Sequence, residues 1–213
     1  MKKRVLCYGD SNTYGYIPGG GRYDENTRWP MVLQKMLGTD EYIVVEEGFG
    51  GRTTVYDDPV EGGFKSGQAY LPPCLMSHNP LDLVVLMLGT NDAKHRFQGN
   101  AKIVANCNRI LIDTIRQYGA DNDANPPKIL LVSPIRIGEG VANTDMDIFG
   151  EYAVGVAAGF PKEFARVAAE ANVAFLDAAT VLEPSEEDCI HFTAEGHRAL
   201  AEAVYAKVKE IIG

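Results

Sequence analysis

The chain has 213 residues, of which 46% are hydrophobic and 23% charged, a composition suited to one globular domain over 1–213 with a substantial core. A formal net charge of −9 argues against nucleic acid or anionic membrane as partner, since both require a basic surface. It favours a small neutral molecule as substrate over a polyanion.

From the start, Met1 to Arg4 resembles the basic head of a signal peptide. The apolar stretch behind it, Val5-Leu6-Cys7-Tyr8, is too short to serve as that peptide's core. No segment approaches the roughly 18 apolar residues of a membrane span. Cys7, Cys74, Cys107 and Cys189 are scattered with no C-x-x-C pair. Reduced thiols, rather than a disulfide scaffold or a zinc site, are the expectation, and the cytoplasm the expected compartment.

Arg4–Tyr8 reads as a short buried strand stopping at Gly9. Pro30 to Leu37 reads as a helix, with Pro30 in the first turn and Gly38 as its stop. Tyr42–Glu46 is a β-branched run ending near Gly48, a second strand. Asp82 to Leu88 is almost continuously apolar, as a strand buried on both faces should be. Ala101 to Tyr118 carries Ile103, Val104, Ile110, Leu111 and Ile115 at helical spacing. Lys128–Val132 is another strand, Phe164–Ala171 a helix and Val173–Leu176 the last strand. The closing helix, about Ala194 to Ile212, aligns Leu200, Val204, Val208 and Ile211 on one face. Met36 and Met87 read as core.

This alternation predicts an α/β chain: a parallel sheet of about five strands between helical layers, three layers in all. Two long stretches, Phe49–Gly67 and Ile135–Gly159, read as irregular. They would follow strand ends, where open α/β sheets build their sites.

Four short segments carry chemistry. Gly9-Asp10-Ser11-Asn12 follows the first strand, Gly48 to Thr54 the second and Gly89-Thr90-Asn91-Asp92 the third, while Asp188 to His197 leads into the last helix. Parallel strands share one C-terminal side, so Ser11, Gly51 and Asn91 are expected at one edge. A serine needs a base to become a nucleophile, and the base needs a third group to fix its tautomer. Ser11, His191 and Asp188 are the right types.

Together these four segments, in this order, resemble the four signature blocks of the SGNH, or GDSL, hydrolase superfamily, from the first strand to the last helix. Arg28-Trp29, Arg52-Thr53-Thr54, Asp57-Asp58-Pro59 and Tyr70-Leu71-Pro72 are most similar to its bacterial arylesterase and acyltransferase group. The resemblance implies the flavodoxin-like SGNH hydrolase fold and a serine esterase acting on short-chain carboxylic esters, with acyl transfer to alcohols or peroxide where water is limited. It gives Ser11 as nucleophile, His191 as base and Asp188 as its orienter. The backbone N–H groups of Ser11 and Gly51 and the side-chain amide of Asn91 become the oxyanion hole. It implies no cofactor and no metal, and an oligomer whose contacts use Tyr70 to Met76 and Ile148 to Tyr152.

Other readings stand beside these. Ser11 could cap a helix, and Asn91-Asp92 could form an Asx turn. Asp10 adjoins the serine but reads as a loop brace, because neighbouring residues seldom aim at each other. His78, His95 and His197 show no metal-ligand spacing and read as structural or surface residues, and Cys189 as a packed thiol. Asn12 stands where the family often has an aliphatic residue, and there could alter acyl-chain preference. Glu61–Gly67 and Glu139–Gly155 match nothing in the family pattern. A carbohydrate O-acetyl esterase with the same residues is one rival, with Tyr14, Tyr16, Trp29 and Tyr56 as candidate sugar contacts. A non-catalytic binding module is the other, resting on Gly19-Gly20-Gly21 alone. It has no P-loop lysine or G-x-G-x-x-G behind it, and no G-x-S-x-G elbow points to another hydrolase fold.

Overall fold

The computed structural model describes residues 1–120 and 125–213. Five strands, β1 (Lys3–Gly9), β2 (Tyr42–Gly48), β3 (Leu83–Met87), β4 (Lys128–Ser133) and β5 (Ala174–Asp177), form one sheet in the order β2-β1-β3-β4-β5. Every pairing is parallel. Gly9 lies level with Gly48 on one side and Met87 on the other, so three chain segments leave the sheet from one line.

Alternation along the strands sorts the core into two layers. Leu6, Tyr8, Val84, Leu86 and Leu131 face α3 (Gly67–His78), α4 (Ala101–Tyr118), α5 (Gly150–Ala158) and α6 (Phe160–Ala171). Val5, Cys7, Leu83, Val85 and Val132 face α2 (Trp29–Leu37) and α7 (Ala194–Ile212). β3 is buried along its whole length, which is why its sequence reads as an unbroken apolar run. The result is a three-layer α/β/α molecule.

Local chemistry sets the helix ends. Asn100 caps α4 by accepting the Ile103 N–H at 3.0 Å, and Thr193 caps α7 through the Gly196 N–H at 3.2 Å. Among the described residues no helix is long and apolar enough to cross a membrane.

Two expectations are corrected, the irregular reading of 135–159 and the core placement of Met36. Tyr70–Met76 lies inside the 12-residue α3, which carries Pro72 and Pro73 in its interior. Leu71, Cys74 and Leu75 are buried under it, and the Tyr8 hydroxyl donates to the Gly67 carbonyl at 2.7 Å, so tertiary packing overrides the two prolines. The stretch 135–159 contains α5. Met36 lies toward solvent, 38% exposed, whereas Met87 is core.

Candidate active site

The turn after β1 is a four-residue helix, α1 (Ser11–Tyr14), capped by Asp10, whose carboxylate accepts the Asn12 N–H at 2.9 Å. Glycines at two strand ends make room for it. A Cβ on Gly9 would stand 2.1 Å from Thr13 Oγ1, and one on Gly48 would stand 2.0 Å from the Tyr14 nitrogen. α1 therefore sits against the sheet edge with Ser11 at its first position.

At the other end of the chain, Asp188 organises its own loop. One carboxylate oxygen accepts the N–H groups of Ile190 at 3.0 Å and His191 at 2.8 Å. The other lies 2.6 Å from His191 Nδ1, and His191 Nε2 lies 2.9 Å from Ser11 Oγ. Ser11, His191 and Asp188 are thus joined in one buried hydrogen-bond chain. Burial would raise the Asp188 carboxyl, but the His191 ring and the two amides outweigh it and hold the group below the usual carboxylate range. The Tyr16 ring covers the imidazole at 4.4 Å between centroids. Cys189 takes the left-handed conformation at φ 63° and packs near Gly138.

Asn12 does something the sequence reading missed. Its side-chain nitrogen donates to the Ile190 carbonyl at 3.3 Å and its oxygen accepts the Phe192 N–H at 3.2 Å. It clasps the serine turn to the histidine loop across 180 residues of chain, so its placement serves geometry. Asp10, at 1% exposure, braces the turn by capping α1, and burial lifts its carboxyl to about 6.

Gly51 and Asn91 come to the same edge. Asn91 Nδ2 donates to the Arg52 carbonyl at 3.1 Å, which uses one of its two amide hydrogens. Gly51 has φ +76°, where a side chain is strained, and a Cβ there would displace the Glu61 carboxylate, 2.6 Å away. Among the described residues, the Ser11 and Gly51 amides donate to no carbonyl. Asp92 accepts the Thr54 N–H at 2.9 Å and the Thr54 hydroxyl at 2.5 Å, tying the third loop to the second. Burial pushes its carboxyl to about 7.

Two further groups hold this edge. Arg52, 5% exposed, donates to the Gly9 carbonyl at 2.9 Å and also to that of Glu47, with its guanidinium 4.3 Å from the Tyr8 ring centre. The unmatched segment after Glu61 braces the Gly51 turn. Lys65 Nζ donates to the Gly50 carbonyl at 2.9 Å, and Glu61 is neutralised by buried Lys94 and by Arg96 at 2.6 Å. A buried lysine rarely announces itself in sequence, since lysine is ordinarily exposed.

Of the proposed sugar contacts, Trp29 is core at 1% exposure and the Tyr14 ring is covered by Arg22. Tyr16 lies on the site, and Tyr56 is half-exposed beside Phe97. His197 is fully buried, and its Nδ1 accepts the Trp29 backbone N–H at 3.4 Å. An apolar cavity of about 590 Å³ opens beside the Phe49–Arg52 loop, walled by Glu47, Phe49, Phe64 and Tyr70, and none of Ser11, Asp188 or His191 lines it.

The profile of the GDSL-like lipase/acylhydrolase family matches residues 7–199. No curated protein matches. Among solved structures, the native M. smegmatis aryl esterase is 34% identical with a TM-score of 0.92, over 99% of this chain and 100% of that one. Est24, a carbohydrate acetylesterase from Sinorhizobium meliloti, is 33% identical with a TM-score of 0.89 over the same shares. A putative arylesterase from Agrobacterium tumefaciens is 33% identical, at 0.87, again over 99% and 100%. With a profile spanning most of its length and full-length likenesses above 30% identity, the chain belongs to the GDSL-like lipase/acylhydrolase family.

Proposed function

We propose that the protein hydrolyses short-chain aryl or alkyl esters through an acyl-Ser11 intermediate. The observation that carries this is the continuous chain from Ser11 Oγ through the His191 ring to Asp188, at 2.9 and 2.6 Å. As Oγ attacks the acyl carbonyl, His191 Nε2 takes its proton, and Asp188 holds Nδ1–H and stabilises the imidazolium. The Ser11 and Gly51 amides and the remaining Asn91 amide hydrogen receive the oxyanion, a set whose individual members are typically worth about 10²–10³ in rate. The imidazolium then returns the proton to the departing alcohol or phenol. Water, deprotonated by His191, releases the acid, and an alcohol or peroxide in its place would carry the acyl group away.

A carbohydrate O-acetyl esterase is the second reading, supported by the likeness to Est24 and by Tyr16 over the base. Turnover of p-nitrophenyl acetate and butyrate against acetylated xylose separates them. The proposal expects the aryl esters to have the higher kcat/KM. A preference for the acetylated sugar would favour the rival, and no turnover of any ester would overturn both. The four unpaired cysteines support a reducing compartment such as the cytoplasm.

A further inference from the structure

Cys74 and His78 lie one turn apart on α3, and the i, i+4 spacing places both on one face of a helix. Glu47, near the end of β2, reaches that face. Cys74 Sγ, a ring nitrogen of His78 and a carboxylate oxygen of Glu47 all lie within 4.8 Å of one another. His78 Nε2 and Glu47 Oε1 already stand 2.9 Å apart. We propose that Cys74, His78 and Glu47 form a binding site for Zn²⁺, separate from the serine site.

The donor set selects the ion. One sulfur, one imidazole nitrogen and one carboxylate suit borderline-soft Zn²⁺, whereas Ca²⁺ and Mg²⁺ demand oxygens. Zinc bonds of about 2.0–2.3 Å in a tetrahedron put ligand atoms roughly 3.3–3.7 Å apart. Separations of up to 4.8 Å therefore close by at most about 1.5 Å on one ion, within the reach of side-chain rotation. Glu47 also walls the 590 Å³ cavity, so water or a ligand from that side reaches the fourth position.

The charges agree with the assignment. Thiolate and carboxylate together cancel the two positive charges of the ion, with the imidazole neutral. Coordination forms a Zn–S bond, breaks the Cys74 S–H bond and passes its proton to solvent. The His78–Glu47 hydrogen bond is given up at the same step, and its two partners become ligands. Neither cysteine spacing nor histidine spacing alone reveals the site, because its ligands are of three types from two elements. Glu47 directly precedes Gly48, and its carbonyl receives Arg52, so the ion would pin the end of β2 beside the oxyanion loop.

The test uses the full-length protein freed of metal and titrated with Co²⁺, whose thiolate complexes absorb in the near ultraviolet, followed by competition with Zn²⁺. The proposal expects one Co²⁺ per chain with a sulfur charge-transfer band, displaced by Zn²⁺, and a higher Tm with Zn²⁺ present. Cys74→Ser should lose the band. His78→Asn, at a half-exposed helix end, should weaken binding by at least about 100-fold, beyond the 10–100-fold typical of groups that merely orient ligands. Cys189→Ser and Ser11→Ala should keep the band, the latter whether or not Ser11 is the nucleophile. No band in folded wild type, or a band that survives Cys74→Ser, would overturn the site.

Discussion

Two buried aspartates on this edge end with carboxyls shifted in opposite directions. Burial raises both, but Asp188 receives two backbone amides and an imidazole and stays ionised, whereas Asp92 is lifted to about 7 against its Thr54 donors. The first suits a group that must stabilise an imidazolium; the second suits a brace. His197 is a third buried titrating group, lowered by burial and by His191 to about 4 from 6.5. The unfolded chain binds its proton near pH 6.5 and the folded chain only near 4. That contribution is therefore fully present above about pH 6.5 and disappears as pH falls through 4, a difference of about 3 kcal/mol. Asp10 and Asp92, raised by burial, act with the opposite sign, because the folded chain keeps protons that the unfolded chain has released. Urea unfolding of wild type and His197→Asn isolates the histidine. The wild-type advantage should grow by about 3 kcal/mol from pH 4 to 7, and an advantage independent of pH would contradict the assignment.

At the scale of elements, legibility in the sequence follows burial. β3 and β4 are apolar runs because helices cover both faces of the sheet, and α4 is bounded as its pattern predicts because a capping Asn100 opens it. α3 was unreadable as a helix: Pro72 and Pro73 oppose one locally, and only its contact with the sheet reverses that. α5 was hidden for a related reason, since Gly150 and Gly155 weaken a helical pattern. The site divides the same way. Residue types and block order were visible for Ser11, Gly51, Asn91, Asp188 and His191. The Asn12 clasp, the Arg52 brace and the Lys94–Glu61 pair were not, because each depends on which loops meet across the edge. Cys74, His78 and Glu47 were missed because they lie on two elements whose side chains meet only in the fold.

Across the whole molecule, the sheet divides labour: both faces bury core, and its C-terminal edge gathers the polar loops. Some apolar surface remains uncovered, at Tyr70 and Met76 on α3 and at Ile148 and Tyr152 around the start of α5. We propose that these patches meet in a homo-oligomer. Size-exclusion chromatography with light scattering should give a mass above 23.2 kDa at micromolar concentration, and a monomer alone would contradict this. The central claim is that one serine, activated across the full length of the chain, carries the acyl group. Its most direct test is labelling with a fluorophosphonate, read by intact mass and peptide mapping. One adduct per chain on Ser11 is expected, absent in Ser11→Ala and slowed by about 10⁴-fold or more in His191→Ala. An adduct on another residue, or equal labelling rates with and without His191, would contradict the account.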